Sequence, residues 1–252
     1  MTPFTVVIPA RYGSTRFPGK VLAELGGRPI VEHVWRRARA SGAAEVIVAT
    51  DDERVAAAAR AFGADVEMTD PRHASGTDRI AEVARRRRWD AARLVVNVQG
   101  DEPLVPPENI RQVAENLAAR PEAAIATLVV PFTDRETLFD PNTAKVVCDA
   151  QGYALYFTRA AVPFDRDGEW DWADAALYRR HIGVYAYRVG DLLRFAGRPP
   201  APLERVEKLE QLRALYYGDR IHVALAPAAP PPGVDTPGDL ARLRAAFAGE
   251  SC

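Results

Sequence analysis

The sequence has little cysteine and no long apolar run. Its 252 residues include two cysteines, Cys148 and Cys252, which form no metal-spaced motif and so exclude a cysteine-based metal centre. Two lone cysteines suit a reducing cytoplasm. No apolar run approaches the ~20 residues that span a bilayer, and the opening segment MTPFTVV is typical of a strand rather than of a secretory signal. We therefore expect a cytoplasmic protein without a membrane partner.

An excess of either charge is also absent. Lysine and arginine total 33 against 34 aspartate and glutamate residues, which gives a formal net charge of −1. This balance provides no overall attraction to nucleic acid. The basic run at residues 85–88 could form a local nucleic-acid patch, but cations at the end of a helix interact favourably with its dipole. We interpret the run as a helix end and expect no nucleic-acid partner.

The first half of the chain alternates between strand-like and helix-like patterns. Apolar residues at positions 31, 34, 35 and 38 have the spacing of a helix face, and Gly42 marks its end. Strand patterns such as FTVVIPA, AEVIVATDD and RLVVNVQGDEP flank such helical segments. This alternation predicts an α/β fold, in which a mixed, mostly parallel sheet carries helices on both faces.

The pattern changes in the second half. The segment AKVVCDAQGYALYFTRA reads as two strands of a hairpin, and RHIGVYAYR is strand-like. LERVEKLEQLRALYYG predicts one amphipathic helix, and a last helix is expected from Thr236. No linker interrupts the chain. We therefore predict a single domain over residues 1–252, with a side lobe at about 145–190 that is a candidate dimer surface.

A cationic loop, RYGSTRFPGK, follows the first strand. Ligands of open α/β sheets bind beyond the carboxyl ends of the strands. Glycine lets backbone N–H groups approach an anion, and arginine and lysine supply positive charge, so the loop has the components of a phosphate cradle. It lacks the Walker spacing, and an ordinary exposed loop has a similar composition, so this alternative stays open.

Two carboxylates strengthen the phosphate interpretation. Asp101 directly follows an apolar strand, where a carboxylate is typical of a Mg²⁺ ligand that also engages substrate phosphates. In VDTPGDL, Thr236 is a good helix N-cap and Asp239 falls at the capping-box position, which leaves Asp235 as a spare carboxylate. The cationic loop and these carboxylates together suggest Mg²⁺–triphosphate chemistry.

The motifs, taken in order along nearly the whole chain, resemble the 3-deoxy-D-manno-octulosonate (Kdo) cytidylyltransferase family. They are IPARYGSTRFPGK, IVATDD, HASGTDR, NVQGDEP, GYALYFTRAAVPFDRD, RHIGVYAYR, LEQLR and GVDTPGDL. The resemblance implies a Rossmann-like nucleotidyltransferase fold, a homodimer, Mg²⁺ as cofactor, and the reaction of CTP with Kdo to give CMP-Kdo and pyrophosphate for lipopolysaccharide biosynthesis.

The resemblance also implies a set of site residues. The catalytic residues are Arg11, Lys20, Asp101 and Asp235, of which Asp101 and Asp235 are the metal ligands. The CTP-binding residues are Ala10, Arg11, Gly13, Ser14, Arg16, Lys20, Ser75, Gly76, Arg79, Gln99 and Asp101. The Kdo-binding residues are Gln99, His181, Tyr185, Glu210 and Gln211.

Three alternatives compete with this interpretation. The acceptor could be a related acidic sugar, such as an 8-amino Kdo analogue or sialic acid. A non-catalytic nucleotide-binding protein is a different class, which loss of a metal carboxylate would favour, but Asp101 and Asp235 are both present. A nucleic-acid binder would depend on the basic run at 85–88 alone, and salt-sensitive binding to DNA or RNA is its test.

Overall fold

The computed structural model describes residues 2–14, 16–174, 176–231 and 233–249. The strands are β1 (Phe4–Pro9), β2 (Glu24–Leu25), β3 (Arg28–Pro29), β4 (Glu45–Thr50), β5 (Asp65–Met68), β6 (Leu94–Asn97), β7 (Ile125–Pro131), β8 (Lys145–Cys148), β9 (Ala154–Thr158), β10 (Arg179–Arg188) and β11 (Ile221–Leu225). The helices are α1 (Ile30–Ala40), α2 (Glu53–Ala61), α3 (Gly76–Arg86), α4 (Pro107–Ala118), α5 (Arg135–Phe139), α6 (Val189–Ala196), α7 (Pro202–Glu207), α8 (Leu212–Tyr216) and α9 (Pro237–Gly249), with a short 3₁₀ helix at Lys20–Leu22.

Across the described residues, one open sheet of nine strands organises the molecule. Its main path is β11-β7-β10-β6-β1-β4-β5, and the β8–β9 hairpin is attached to β10 through β8. The pairs β11–β7, β6–β1, β1–β4 and β4–β5 are parallel, and β10 is antiparallel to both its neighbours. The predicted α/β class with a mixed, mostly parallel sheet is confirmed.

The sheet buries an apolar cluster on each face. Val6 and Ile8 of β1 join the cluster that includes residues of α1 and α4, whereas Val7 joins the cluster that includes residues of α3 and α6. Successive side chains of a strand point to opposite faces, so a strand covered on both sides must be apolar throughout. This explains why FTVVIP is buried along its whole length, and it confirms the prediction of helices on both faces.

The prediction of a side lobe over residues 145–190 is wrong for its last part. β10 lies between β6 and β7, where Tyr185 pairs with Asn97 on one side and with Thr127 on the other. The lobe is therefore limited to the β8–β9 hairpin and the segment that follows it, up to about residue 178. An alternating pattern identifies a strand but not its partners, which explains the error.

The predicted single helix over LERVEKLEQLRALYYG is also wrong, because it is broken at Lys208. Lys208 has a left-handed backbone with φ of 55°, which ends α7, and α8 begins only at Leu212. Arg159 stabilises the break, since its guanidinium donates to the carbonyl of Glu207 at 2.7 Å and to that of Lys208 at 3.4 Å. The break leaves residues 209–211 in a connection rather than on a helix face.

No helix within the described parts of the chain combines the length and the apolar character that crossing a bilayer requires.

Candidate active site

A cavity of about 300 Å³ lies at the carboxyl ends of β1 and β6, next to the start of α3. This is the edge of an open α/β sheet at which ligands bind. The cavity is lined by ten of the twelve residues predicted to bind nucleotide or metal, namely Arg11, Ser14, Arg16, Lys20, Ser75, Gly76, Arg79, Gln99, Asp101 and Asp235. Of the other two, Ala10 is buried at the end of β1, and Gly13 is outside the lining.

Tyr12 holds the cationic loop in place. Its carbonyl accepts hydrogen bonds from the N–H groups of Ser14 at 3.0 Å and Gly19 at 2.8 Å. Its ring stacks beneath the Arg54 guanidinium, whose carbon lies 3.4 Å from the ring centroid. Gly19 has φ of +72°, and a Cβ there would come within 3.0 Å of the Tyr12 ring. Only glycine adopts this backbone without strain, so Gly19 allows the loop to close tightly on Tyr12.

The N-terminus of α3 forms another wall of the cavity. Ser75 is the N-cap, and its hydroxyl accepts from the N–H of Asp78 at 3.1 Å. Ser75 and Gly76 line the cavity, so the partial positive charge of the helix start faces it. Backbone N–H groups at such a start are suited to bind phosphate oxygens.

Asp101 and Asp235 are brought together by a backbone contact. The N–H of Val234 donates to the carbonyl of Asp101 at 2.9 Å, which ties the turn after β6 to the segment before α9. The predicted capping of α9 is confirmed, because the N–H of Thr236 donates to Asp239 Oδ2 at 2.7 Å and the N–H of Asp239 donates to Thr236 Oγ1 at 3.2 Å.

The cap leaves the Asp235 carboxylate spare, as expected, but the carboxylate is not free, because it is ion-paired twice. Its Oδ1 lies 3.0 Å from Lys20 Nζ, and its Oδ2 lies 3.0 Å from Arg16 Nη2. Lys20 Nζ also contacts Asp101 Oδ2, so one ammonium bridges both carboxylates. Burial lowers the pKa of Lys20, but the attraction of Asp101 and Asp235 outweighs it, and the net pKa is raised. Lys20 therefore carries its charge at neutral pH.

Glu102 belongs to this charged group, although no sequence pattern predicts it as a site residue. Burial raises the pKa of its carboxyl to about 7, and the negative charges of Asp101 and Asp235 add to the effect. Glu102 packs against Gly233, where a Cβ would lie 3.0 Å from its Oε1. Its position beside Asp101 was the available signal, but burial cannot be read from a turn sequence.

Arg79 lines the cavity but is committed to protein partners. Its side chain is 4% exposed, and its Nη2 lies 3.3 Å from Asp51 Oδ2, while Nη1 donates to Thr69 Oγ1. A buried arginine needs such an acidic partner to offset its desolvation. The IVATDD segment therefore reaches the site through Asp51, which orients Arg79.

His181 and Tyr185 lie on β10, outside the cavity but at the same edge of the sheet. His181 Nε2 is 2.9 Å from Thr127 Oγ1, and the Thr127 hydroxyl lies 2.8 Å from the carbonyl of Val184. A hydroxyl has one proton, and the Val184 carbonyl can only accept it, so we assign the His181 ring proton to Nε2, which donates to Thr127 Oγ1. Burial and the nearby Arg180 charge lower the pKa of His181 to about 3, so the ring is neutral and its Nδ1 is an acceptor.

Glu210 and Gln211 come from the connection between α7 and α8. Glu210 Oε2 accepts from Thr77 Oγ1 at 2.7 Å, beside the N-cap of α3. Burial raises the pKa of Tyr185, and the negative charge of Glu210 contributes, so these two predicted acceptor-binding residues are neighbours. Glu210 Oε1 and Gln211 Nε2 are buried atoms without a hydrogen-bond partner among the described residues, although Arg213 Nη2 forms a longer ion-pair contact of 3.7 Å with Glu210 Oε1. Such groups normally have partners, which a polar ligand would supply.

The fold and the site together define a nucleotidyltransferase. The chain belongs to the cytidylyltransferase family, whose profile matches residues 5–221. A relative from Idiomarina loihiensis, named 3-deoxy-manno-octulosonate cytidylyltransferase, is 57% identical over 247 residues, covering 96% of this chain and 97% of that protein. A second from Halorhodospira halophila, of the same name, is 58% identical over 241 residues, or 94% of each chain. The family resemblance found in the sequence is confirmed.

Solved structures agree with this assignment. The structure of a CMP:2-keto-3-deoxy-manno-octonic acid synthetase complexed with CTP matches with a TM-score of 0.90 and 40% identity, covering 99% of this chain and 100% of that one. A nucleotidyl transferase from Methanothermobacter matches with a TM-score of 0.62 at 16% identity, covering 99% and 100% of the two chains, which shows the shared fold alone. The protein is an enzyme of the cytidylyltransferase class.

Proposed function

We propose that the protein activates Kdo, converting CTP and Kdo into CMP-Kdo and pyrophosphate for lipopolysaccharide biosynthesis. The observation that carries the proposal is the bridged pair of carboxylates, Asp101 and Asp235, beside a cavity lined by the cationic loop and the start of α3. Its substrate choice is supported by relatives that are named for this activity over nearly the full length of the chain.

The chain's own groups stabilise charge during the transfer. The Kdo hydroxyl oxygen forms a bond to the α-phosphorus of CTP, the bond from that phosphorus to the bridging oxygen breaks, and pyrophosphate leaves as the hydroxyl proton is lost. Arg11, Arg16 and Lys20 line the side of the cavity that we assign to the triphosphate. Fixed cations and helix N–H groups favour the charge that accumulates on departing pyrophosphate.

The carboxylates fit Mg²⁺. Oxygens of Asp101 and Asp235 both contact one nitrogen, so both reach a single cation. The described residues contain no group of three or more histidine, cysteine, aspartate or glutamate side chains that could hold a metal. Mg²⁺ is commonly held by one or two carboxylates together with substrate phosphates and water. When bound, it would neutralise phosphate charge and make the attacking hydroxyl more acidic.

We assign Kdo, the sugar that accepts the nucleotide group, to the β10 side of the cavity. Gln99 lines the cavity. His181 and Tyr185 are ring neighbours on β10, and Glu210, followed by the buried Gln211, contacts the first turn of α3 through Thr77. The neutral His181 ring offers an acceptor nitrogen to a sugar hydroxyl. Glu210 Oε1, which has only the Arg213 guanidinium 3.7 Å away, and Gln211 Nε2 are a buried acceptor and donor without a hydrogen bond among the described residues. A sugar with many hydroxyls suits such a set of hydrogen-bond donors and acceptors.

We further propose a homodimer in the cytoplasm, without a nucleic-acid or membrane partner. Large apolar side chains are exposed on the lobe after β9, where Phe164 is 86% and Trp170 64% exposed. Clusters of exposed aromatic residues mark association surfaces. The balanced charge supports the absence of nucleic-acid binding.

Pyrophosphate release tests the function directly. The purified protein should release pyrophosphate only when CTP, Kdo and Mg²⁺ are all present, and each is omitted in turn. Sialic acid and an 8-amino Kdo analogue serve as competing acceptors, and a higher kcat/KM with either would replace Kdo as the substrate. No release with any acidic sugar would overturn the proposal.

A further inference from the structure

Lys20 occupies the space between the two acidic side chains of the site. Its Nζ contacts Asp101 Oδ2 and lies 3.0 Å from Asp235 Oδ1. The Lys20 side chain is 12% exposed, whereas that of Arg16, the other cation on Asp235, is 64% exposed. An ammonium group is a compact charge with three donors, so it can satisfy both carboxylates at once.

A metal ion would need the same carboxylate oxygens. Two cations at contact distance from one pair of oxygens repel each other. Each also occupies carboxylate lone pairs that the other would need. We propose that Lys20 is a built-in counter-ion that competes with Mg²⁺ for Asp101 and Asp235, so that the ammonium must leave before the metal binds. This inference rests on the proposed metal site.

The nucleotide provides the reason for the ammonium to leave. Lys20 lines the same cavity as Arg11, Ser75 and Gly76, where phosphate oxygens would offer it another anionic partner. A ligand that draws Lys20 away from the carboxylates raises their affinity for metal, and by linkage metal raises the affinity for that ligand. Without nucleotide the site therefore discriminates against free metal.

Arg16 offers a matched control. It also carries one positive charge and also lies 3.0 Å from Asp235, but it contacts only that carboxylate and is mostly exposed. Exposed ion pairs are weak and screened by salt. Removing Arg16 therefore measures the general effect of losing a nearby cation, and removing Lys20 measures that effect plus the loss of the bridge.

The test is the binding of Mn²⁺ alone, measured by electron paramagnetic resonance at pH 7.5 without nucleotide. Lys20→Met should bind Mn²⁺ about tenfold more tightly than the wild type, because a charge-assisted bridge no longer competes. Lys20→Arg should stay within about threefold of the wild type, because its charge remains, and Arg16→Met should also change affinity by less than about threefold. Circular dichroism and thermal unfolding establish that each variant is folded. Turnover of Lys20→Met should fall although its metal affinity rises.

Two results would overturn the inference: equal or undetectable Mn²⁺ binding in Lys20→Met and the wild type, or the same gain in Arg16→Met as in Lys20→Met. Failure of the underlying metal site has a separate signature. If Asp101→Asn and Asp235→Asn leave the Mg²⁺ concentration for half-maximal turnover unchanged, the metal site itself is misassigned. If they raise it while Lys20→Met binds Mn²⁺ no better than the wild type, only the counter-ion role is lost.

Discussion

Thr77 donates a hydrogen bond to Glu210 at 2.7 Å, although 133 residues separate them in the chain. Thr77 is in the first turn of α3, which borders the nucleotide cavity, and Glu210 is in the connection between α7 and α8. This contact joins the wall of the proposed nucleotide site to the proposed acceptor site. It allows acceptor binding to be perturbed at a point that the nucleotide does not need to touch.

Glu210→Gln should weaken acceptor binding selectively. The variant keeps the shape and one acceptor for Thr77, but it removes the charge that can pair with sugar hydroxyls. We expect the KM for Kdo to rise about tenfold, the worth of one charge-assisted hydrogen bond, while the KM for CTP stays within about threefold. Steady-state kinetics with each substrate varied in turn measures both values.

Thr77→Val is the control for a purely structural role of this contact. If Glu210 served only to fix the start of α3, Thr77→Val and Glu210→Gln would raise the KM values for both substrates to a similar extent.

Asp101→Asn and Asp235→Asn should each leave the protein folded and greatly reduce turnover. An amide is a poorer Mg²⁺ ligand than a carboxylate, and metal stabilisation of the transition state amounts to several kcal/mol. At about 1.4 kcal/mol per decade, we expect kcat to fall by roughly two decades or more. The loss should appear in kcat more than in KM. Near-normal kcat at moderate Mg²⁺ in either variant removes that residue from the metal site.

Gly19→Ala should loosen the cationic loop. Its φ of +72° and the Tyr12 ring 3.0 Å from the added Cβ make alanine strained there, at a cost of roughly 1–2 kcal/mol. We expect a higher KM for CTP and a lower unfolding temperature.

Gly13→Ala is the matched variant, because nothing lies within 4 Å of its added Cβ. It should leave the unfolding temperature unchanged. A rise in its KM for CTP would show that phosphate approaches the Gly13 backbone, whereas equal destabilisation by both substitutions would refute the role given to Gly19.

His181 should make the protein less stable in acid. Its pKa is about 3 in the folded chain, mainly because of burial, against 6.5 as its ordinary value. Between these pH values the unfolded chain binds a proton that the folded chain does not, so stability falls as the pH decreases from about 6.5 towards 3. From pH 7.5 to pH 5 this contribution is about 1–2 kcal/mol.

Urea unfolding of wild type and His181→Gln at both pH values isolates the effect. Because the other titrating groups are common to both proteins, the wild type should lose about 1–2 kcal/mol more of its unfolding free energy on acidification than the variant does. Equal losses would mean that the buried ring already accepts a proton in the folded state.

Phe164→Glu should disrupt the proposed dimer. Phe164 is 86% exposed on the lobe, and a buried charge in an apolar interface without a partner is strongly unfavourable. We expect light scattering at micromolar concentration to give the monomer mass for this variant and the dimer mass for the wild type. Val206→Glu, at an 83% exposed site on α7, should remain a dimer. A monomeric wild type, or a dimer that survives Phe164→Glu but not Val206→Glu, contradicts the assignment.

Local patterns in the sequence predict the elements that are determined locally. The cap of α9 at Thr236 is confirmed, and so is the end of α3 within the basic run, because both depend on residues within one or two turns. The position of the cavity is also predictable. Strands that alternate with helices run parallel, and ligands of such open sheets bind at the carboxyl ends of the strands.

Features that depend on contacts between residues far apart in the chain are not predicted by the sequence patterns. Asp235 is predicted as spare, but Lys20 and Arg16, more than 200 residues earlier, pair with it. The break at Lys208 depends on Arg159, which belongs to the end of the β8–β9 hairpin. The central position of β10 depends on pairing with β6 and β7. Residue propensity and hydrophobic periodicity describe only the residues within one segment, so neither could reveal these long-range contacts.

The position of β10 has a consequence for how the chain is synthesised. β6 ends at residue 97, and the strand that completes its outer edge begins only at residue 179. At roughly 5–20 residues per second, a ribosome needs on the order of 5–15 seconds to add that segment. During this interval the edge of β6 is exposed without its partner strand, and exposed edges template aggregation. A nascent chain that stalls before residue 188 therefore contains strands β1 to β6 but lacks the complete β10 strand that covers the edge of β6.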